Sequence, residues 1–227
     1  MRAPGWLFYS GLLLGLGASP VFGQNAPLGF EGLADSTNLT TQIPGASFTN
    51  AIVVSSGITL NEFESPPHSG SNTASDNTGP ITVAFASPLS SFSGYFTYTT
   101  GLTMQALGAS NNLLTTANSQ YSNNEFLSGV SGSHSNELIQ VKAAGIYKVV
   151  ITGSPQGNSF DLDDATLITL CDVNQDGYTN VIDAQTIVNQ ALGIGSPAND
   201  VNADGKVNVV DIQIVIDAAL GGACSAT

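Results

Sequence analysis

The chain has 227 residues, with 17 Asp and Glu against 4 Lys and Arg, for a formal net charge of −13. So few cations cannot track a phosphate backbone or coat an anionic lipid surface, which excludes nucleic acid and anionic membranes as partners. At 42% hydrophobic and 9% charged, with 25 Gly and 10 Pro, the chain carries enough apolar residues for a core and has room for one or two domains.

Met1–Gly23 reads as a secretory signal peptide: Arg2 is the positive end, Trp6–Gly17 the apolar stretch, and Val21-Phe22-Gly23 the small-residue site before a cut at Gln24. Twelve apolar residues are too few to span a hydrocarbon core of roughly 30 Å, so no membrane insertion is expected. The remainder should be secreted, in a compartment that permits disulfides.

From Gln24 to Leu170 the chain is rich in Ser, Thr, Asn and Gly, with short β-branched or aromatic runs. They fall at Ala51–Thr59, Ile81–Ala86, Phe92–Tyr98, Leu102–Ala106, Glu137–Val141, Ile146–Thr152 and Phe160–Ile168. Turn-forming stretches such as Pro66–Gly70 and Gly153–Gly157 separate them, a pattern that predicts an all-β sandwich, jelly-roll-like, over residues 24–170. No catalytic constellation stands out in it. His68 and His134 lie in Ser/Gly-rich loops outside any metal-binding motif, and Ser131, in Gly129-Val-Ser-Gly-Ser, lacks the second glycine of a nucleophile elbow. Glu62, Glu64, Glu125 and Glu137 are the acids a glycosidase pair could draw on, Glu62 and Glu64 being read as a polar strand edge or loop. Tyr95, Tyr98, Tyr121 and Tyr147 are the tyrosines available for sugar stacking, and Tyr95 and Tyr98 have opposite parity, so only one should face outward.

After Leu170 the texture changes to a repeat of period 28, Asp172–Asp183 and then Asp200–Asp211. In the first copy Asp172, Asn174 and Asp176 stand at loop positions 1, 3 and 5, with Gly177 at 6, the Tyr178 carbonyl at 7, Asn180 at 9 and Asp183 at 12. In the second the same places hold Asp200, Asn202, Asp204, Gly205, the Lys206 carbonyl, Asn208 and Asp211. Calcium takes six to eight oxygens, and a 12-residue loop with a glycine at its sharp turn presents them in this order. Three carboxylates gathered in each loop would repel one another without a cation, which argues against a pair of Asx turns that merely look alike. Two calcium ions are expected.

A short amphipathic helix follows each loop. Ala184, Ile187, Val188, Ala191 and Leu192 would form one inward face, and Ile212, Val215, Ile216, Ala219 and Leu220 the other, with Gly193 and Gly221 as stops. Val210, Ile214 and Ala218 make a second apolar line on the second helix, read either as a partner surface or as a contact with the β domain. Cys171 and Cys224 bracket the segment; an isolated pair in a secreted chain is expected to form a disulfide, two free thiols being the alternative.

On these motifs Cys171–Cys224 resembles a type I dockerin domain. The resemblance implies a small all-α module with two F-hand (EF-hand-like) calcium loops, whose partner is the cohesin domain of a scaffold in extracellular assemblies that degrade polysaccharide. It implies further that loop positions 10 and 11, here Val181-Ile182 and Val209-Val210, meet the cohesin. Family members often carry Ser-Thr there. Against a standard EF-hand, position 12 is Asp in place of Glu and the strand-like run Phe160–Leu170 stands where a helix would precede the first loop, so each unit is a loop plus its exiting helix. More loosely, Phe30–Leu33, Phe92–Tyr98 and Phe160–Leu167 resemble jelly-roll domains of secreted bacterial PEP-CTERM-type and carbohydrate-binding-module proteins. That likeness implies a third calcium between first and last strands, held by Glu31, Asp161, Asp163 and Asp164, with strand-end acids as the plain alternative.

The expectation is therefore a secreted protein in which a non-catalytic β-sandwich, interacting with a glycan or a surface, is tethered to a cohesin by a calcium-loaded dockerin. Alternatives are a small hydrolase acting on O-glycosyl bonds delivered by the same dockerin, or a calcium-stabilised adhesive protein with no cohesin partner.

Overall fold

A computed structural model of the protein describes residues 28–224; the signal peptide expected at Met1–Gly23 lies outside them. Among the described residues the strands are β1 (Asn38–Leu39), β2 (Ala46–Thr49), β3 (Ala51–Ser55), β4 (Asn72–Asp76), β5 (Ile81–Tyr98), β6 (Thr103–Leu107), β7 (Leu113–Asn118), β8 (Glu137–Thr152) and β9 (Phe160–Thr169). Two helices follow, α1 (Val181–Ala191) and α2 (Val209–Ala219).

All pairings between these strands are antiparallel. They divide into two layers that share β5 and β8. One layer runs β2, the first part of β5, the second part of β8, β6, β7. The other runs β1, β3, β4, β9, the second part of β5, the first part of β8. The runs Ile81–Ala86 and Phe92–Tyr98, separate on sequence, are one continuous strand. Its register slips between Ala84 and Ser91, around Pro88, where a missing N–H is harmless because the ladder is already broken. Gly145 (φ +78°) lies between the corresponding halves of β8. Strands that switch sheets at bulges are how a sandwich makes its corners. Asn50 (φ +60°), the one residue between β2 and β3, turns the chain from one layer to the other.

One apolar core lies between the layers. It takes Phe48, Val83, Met104 and Ile151 from the first, and Val53, Ala74, Phe96 and Leu162 from the second, with Phe30 edge-on to Phe48. The parity expectation holds: Tyr98 is buried, its hydroxyl donating to Glu137, while Tyr95 faces outward.

The helices form a second, separate cluster: Cys171, Val173, Ile187, Val201, Ile214, Val215, Ala218 and Cys224. The Cys171–Cys224 disulfide is present, with its Cα atoms 5.8 Å apart. Gly193 (φ +74°) and Gly221 (φ +94°) stand just past the helix ends in the left-handed conformation that closes a helix.

The inward faces differ from expectation by one residue. Leu192 and Leu220 are 70% and 84% exposed, and Ile216 is also exposed. Asp183 and Asp211 are fully buried, and each drags its own face inward. Positions +3, +4 and +7 from Asp211 are Ile214, Val215 and Ala218, all buried; position +4 from Asp183 is Ile187. The expectation that Ile214 and Ala218 belong to an exposed line is therefore corrected: both are core.

Candidate functional site

Each loop folds by turning its carboxylates onto its own backbone. In the first, Asp172 accepts from the N–H groups of Asp176 (3.1 Å) and Gly177 (2.9 Å), and Asp176 from Tyr178 N–H (2.9 Å). Asp183, reaching back from α1, accepts from Asn174 N–H (3.1 Å) and Asn180 N–H (2.8 Å). The second loop repeats this: Asp200 takes Asp204 N–H and Gly205 N–H, Asp204 takes Lys206 N–H, and Asp211 takes Val201, Asn202 and Asn208 N–H.

Gly177 (φ +97°) and Gly205 (φ +88°) occupy the sharp turn as expected. Position 4 is also left-handed, in Gln175 (φ +58°) and Ala203 (φ +59°), a requirement those residue types gave no sign of.

Asn180 and Asn208 do more than stand at position 9. Each is the N-cap of its helix, its side-chain oxygen accepting from Ile182 N–H or Val210 N–H at 2.8 Å, and with Asp183 or Asp211 it closes a capping box. The spacing Asn-x-x-Asp was the readable signal, with Asp doing what Glu or Gln does in the usual box.

Whether these loops suit a hard cation is decided by their donors. Every side chain offered at positions 1, 3, 5, 9 and 12 is an oxygen donor, and no basic side chain enters the first loop. Burial pushes the Asp172 carboxyl up to about 6, and the charges of Asp183 and Asp176 add to it. That is the electrostatic strain a divalent cation relieves. In the exposed second loop Asp204 is instead lowered, first by its hydrogen bond from Asn202. Among the described residues no three His, Cys, Asp or Glu side chains meet at one point; the carboxylates rest on loop N–H groups. The donor set fits calcium.

The other predicted set divides. Glu31 accepts from Ser71 and Asn72 N–H (both 2.8 Å), Asp163 from Ser69 N–H (2.9 Å), and Asp164 faces His68 Nδ1 at 2.6 Å, so these three surround the loop from His68 to Asn72. Asp161 stands apart, hydrogen-bonded by Ser65 Oγ in a cleft it shares with Glu64 and Glu125, where burial raises it to about 6. Tyr95, the outward tyrosine, is covered by His68, whose ring stacks on it at 3.5 Å and 8°.

Of the proposed partner residues, Val181, Ile182, Val209 and Val210 are exposed, and the repeat places them equivalently at the start of the two helices.

Residues 170–220 match the model of the dockerin type I domain, in line with the loop repeat. No curated protein matches the chain. Among solved structures, an arabinose-bound α-L-arabinofuranosidase is similar at 12% identity and TM-score 0.43, covering 77% of this chain and 31% of that one. The chain thus spans about a third of the length of that relative. A carbohydrate-binding module, TmCBM61 in complex with β-1,4-galactotriose, is similar at 10% identity and TM-score 0.34, covering 59% of this chain and 99% of that one. CsCBM6-3 from Clostridium stercorarium, in complex with cellobiose, gives 14% identity and TM-score 0.33, covering 58% and 92%. Among the described residues, no helix is long and apolar enough to cross a membrane.

Proposed function

We propose that this is a secreted protein of polysaccharide breakdown, in which residues 171–224 are a calcium-dependent dockerin that docks on a cohesin. Residues 24–170 are then a non-catalytic sandwich that interacts with a glycan. The observation that carries the reading is the repeated loop with its fully buried closing carboxylate, Asp183 and Asp211, within the stretch that matches the dockerin model.

Asp172, Asn174, Asp176, the Tyr178 carbonyl and Asp183 would hold one ion; Asp200, Asn202, Asp204, the Lys206 carbonyl and Asp211 the other. Asn180 and Asn208, whose side-chain oxygens already cap the helices, would act through water. Calcium, when bound, neutralises the gathered carboxylates. The rest is the work of the chain. Asp183 and Asp211 fix loop to helix through N–H groups on both sides of the turn, and thereby set the direction of Val181-Ile182 and Val209-Val210, the exposed apolar pairs offered to the partner.

Calorimetric titration of the full chain with cohesins, in calcium and in excess chelator, tests this. Binding to at least one cohesin in calcium and its loss in chelator are expected; helix content by circular dichroism that ignores chelator would sink the calcium part.

A further inference from the structure

We propose that a cleft on the outer face of the second layer binds one ring of an uncharged glycan, with Phe63 and Phe126 as its stacking platform. This rests on the reading of the sandwich as a glycan-interacting module and gives that module its site.

The cleft has a volume of about 240 Å³, below the roughly 300–1,000 Å³ of sites for drug-sized ligands, which suits one sugar ring. Ser75, Thr97 and Asp161 rise into it from adjacent strands β4, β5 and β9. Two loops wall it, and Glu64 ties them together. Its carbonyl accepts from Phe126 N–H (2.8 Å), and its carboxylate from the N–H groups of Leu127 and Ser128 (3.0 Å each). Glu125 accepts from Ser128 Oγ (2.7 Å) and Asn123 Nδ2 (3.1 Å).

All of these carboxylate bonds fall on Oε2. Among the described residues no hydrogen bond occupies Oε1 of Glu64 or of Glu125. Two carboxylates are thus held by loop donors through Oε2, and because a carboxylate accepts through both oxygens, Oε1 of each suits a hydroxyl donor of the ring.

The same loops carry Phe63, Phe126 and Leu127, at 72%, 67% and 67% exposure; Phe63 and Phe126 are the chain neighbours of the lining residues Glu64 and Glu125 and stand outside the lining itself. Large apolar side chains left in water on the loops that wall a polar cleft indicate a surface that something covers. The C–H face of a sugar on an aromatic ring, with its hydroxyls on carboxylates, satisfies both halves. The lining has three acids and no Lys, Arg or His, so it repels uronates and admits neutral rings.

The test is affinity gel electrophoresis of the full chain, in calcium, through xyloglucan, glucomannan, galactan and polygalacturonate. Retardation by at least one neutral polysaccharide and none by polygalacturonate is expected. The Phe63→Ala/Phe126→Ala double variant should bind at least tenfold more weakly with an unchanged melting curve. Glu125→Gln, which keeps the size of the side chain, should weaken binding as well. Retardation of wild type by a neutral polysaccharide with both variants unaffected overturns the cleft and leaves the glycan reading standing. Retardation by polygalacturonate alone overturns the cleft's charge logic. No retardation by any of the four ends the glycan reading and the cleft with it.

Discussion

Asp76 shows how much a single buried carboxylate can organise in this fold. At the end of β4 it accepts from Ser159 N–H (2.6 Å), Ser159 Oγ (2.8 Å) and Phe160 N–H (2.9 Å), stitching β4 to the start of β9. Asp76→Ala would strand those donors inside, a loss of about 3 kcal/mol read by urea unfolding. Burial outweighs these bonds and raises the carboxyl above its usual value. A raised native pKa means the folded state binds the proton first, so stability is highest below the unfolded value and falls as pH rises through the native one. Wild type should therefore lose more stability than Asp76→Asn between pH 4 and 7; parallel pH profiles would contradict this. At Ala203 (φ +59°) the strain is of the opposite kind, steric and local. Left-handed backbone costs an alanine about 1–2 kcal/mol, and glycine's added chain entropy returns about 0.5–1 of it. Ala203→Gly should then stabilise the second loop by roughly 0.5 kcal/mol in thermal unfolding.

At the scale of the elements, the hydrophobic pattern located both helices, and the loop glycines located the turns. It misjudged which way the helices face, because a periodicity rule treats Asp211 and Asp183 as solvent residues. Here they are fully buried, as deep as Ile187 and Val215, and held by N–H groups from the loops. Ile187→Ala and Ile214→Ala should each cost the helical segment about 2–5 kcal/mol, while Leu220→Ala stays within about 0.5 kcal/mol. Equal losses at Ile214 and Leu220 in calcium-loaded melts would restore the face read from the sequence. The strands that went unrecognised, β1, β2, β4 and β7, are short, and more than half of their residues are Asn, Thr, Ser or Asp. Their backbone pairing is set by neighbours, which no local composition records. The loops that wall the cleft were equally hard to see. Glu64 looked like an exposed acid, and only the fold brings it against Leu127 and Ser128, 63 and 64 residues on.

The described residues form two apolar clusters with no residue in common, so the molecule should unfold in two steps. Chelator, or reduction of Cys171–Cys224, should move only the helical step. Removing a bond between residues 53 apart costs about 4 kcal/mol on the chain-entropy model; differential scanning calorimetry with a single shared transition would refute the independence of the clusters. The junction between them is short. β9 ends at Thr169, Leu170 N–H donates to Pro88 carbonyl (3.2 Å), and Cys171 already belongs to the helical cluster. β9 is an interior strand, paired with β4 on one side and β5 on the other. If the helical part docks and the sandwich holds a glycan, as proposed, a pull between the two would enter the sandwich at the end of β9. Antiparallel ladder bonds lie across the strand axis, so the load must shear the β5 row along the strand, with the two β4 pairs at Asp161 and Leu162 at its far end, instead of peeling one bond at a time. The strand that links the two parts is placed to bear mechanical tension.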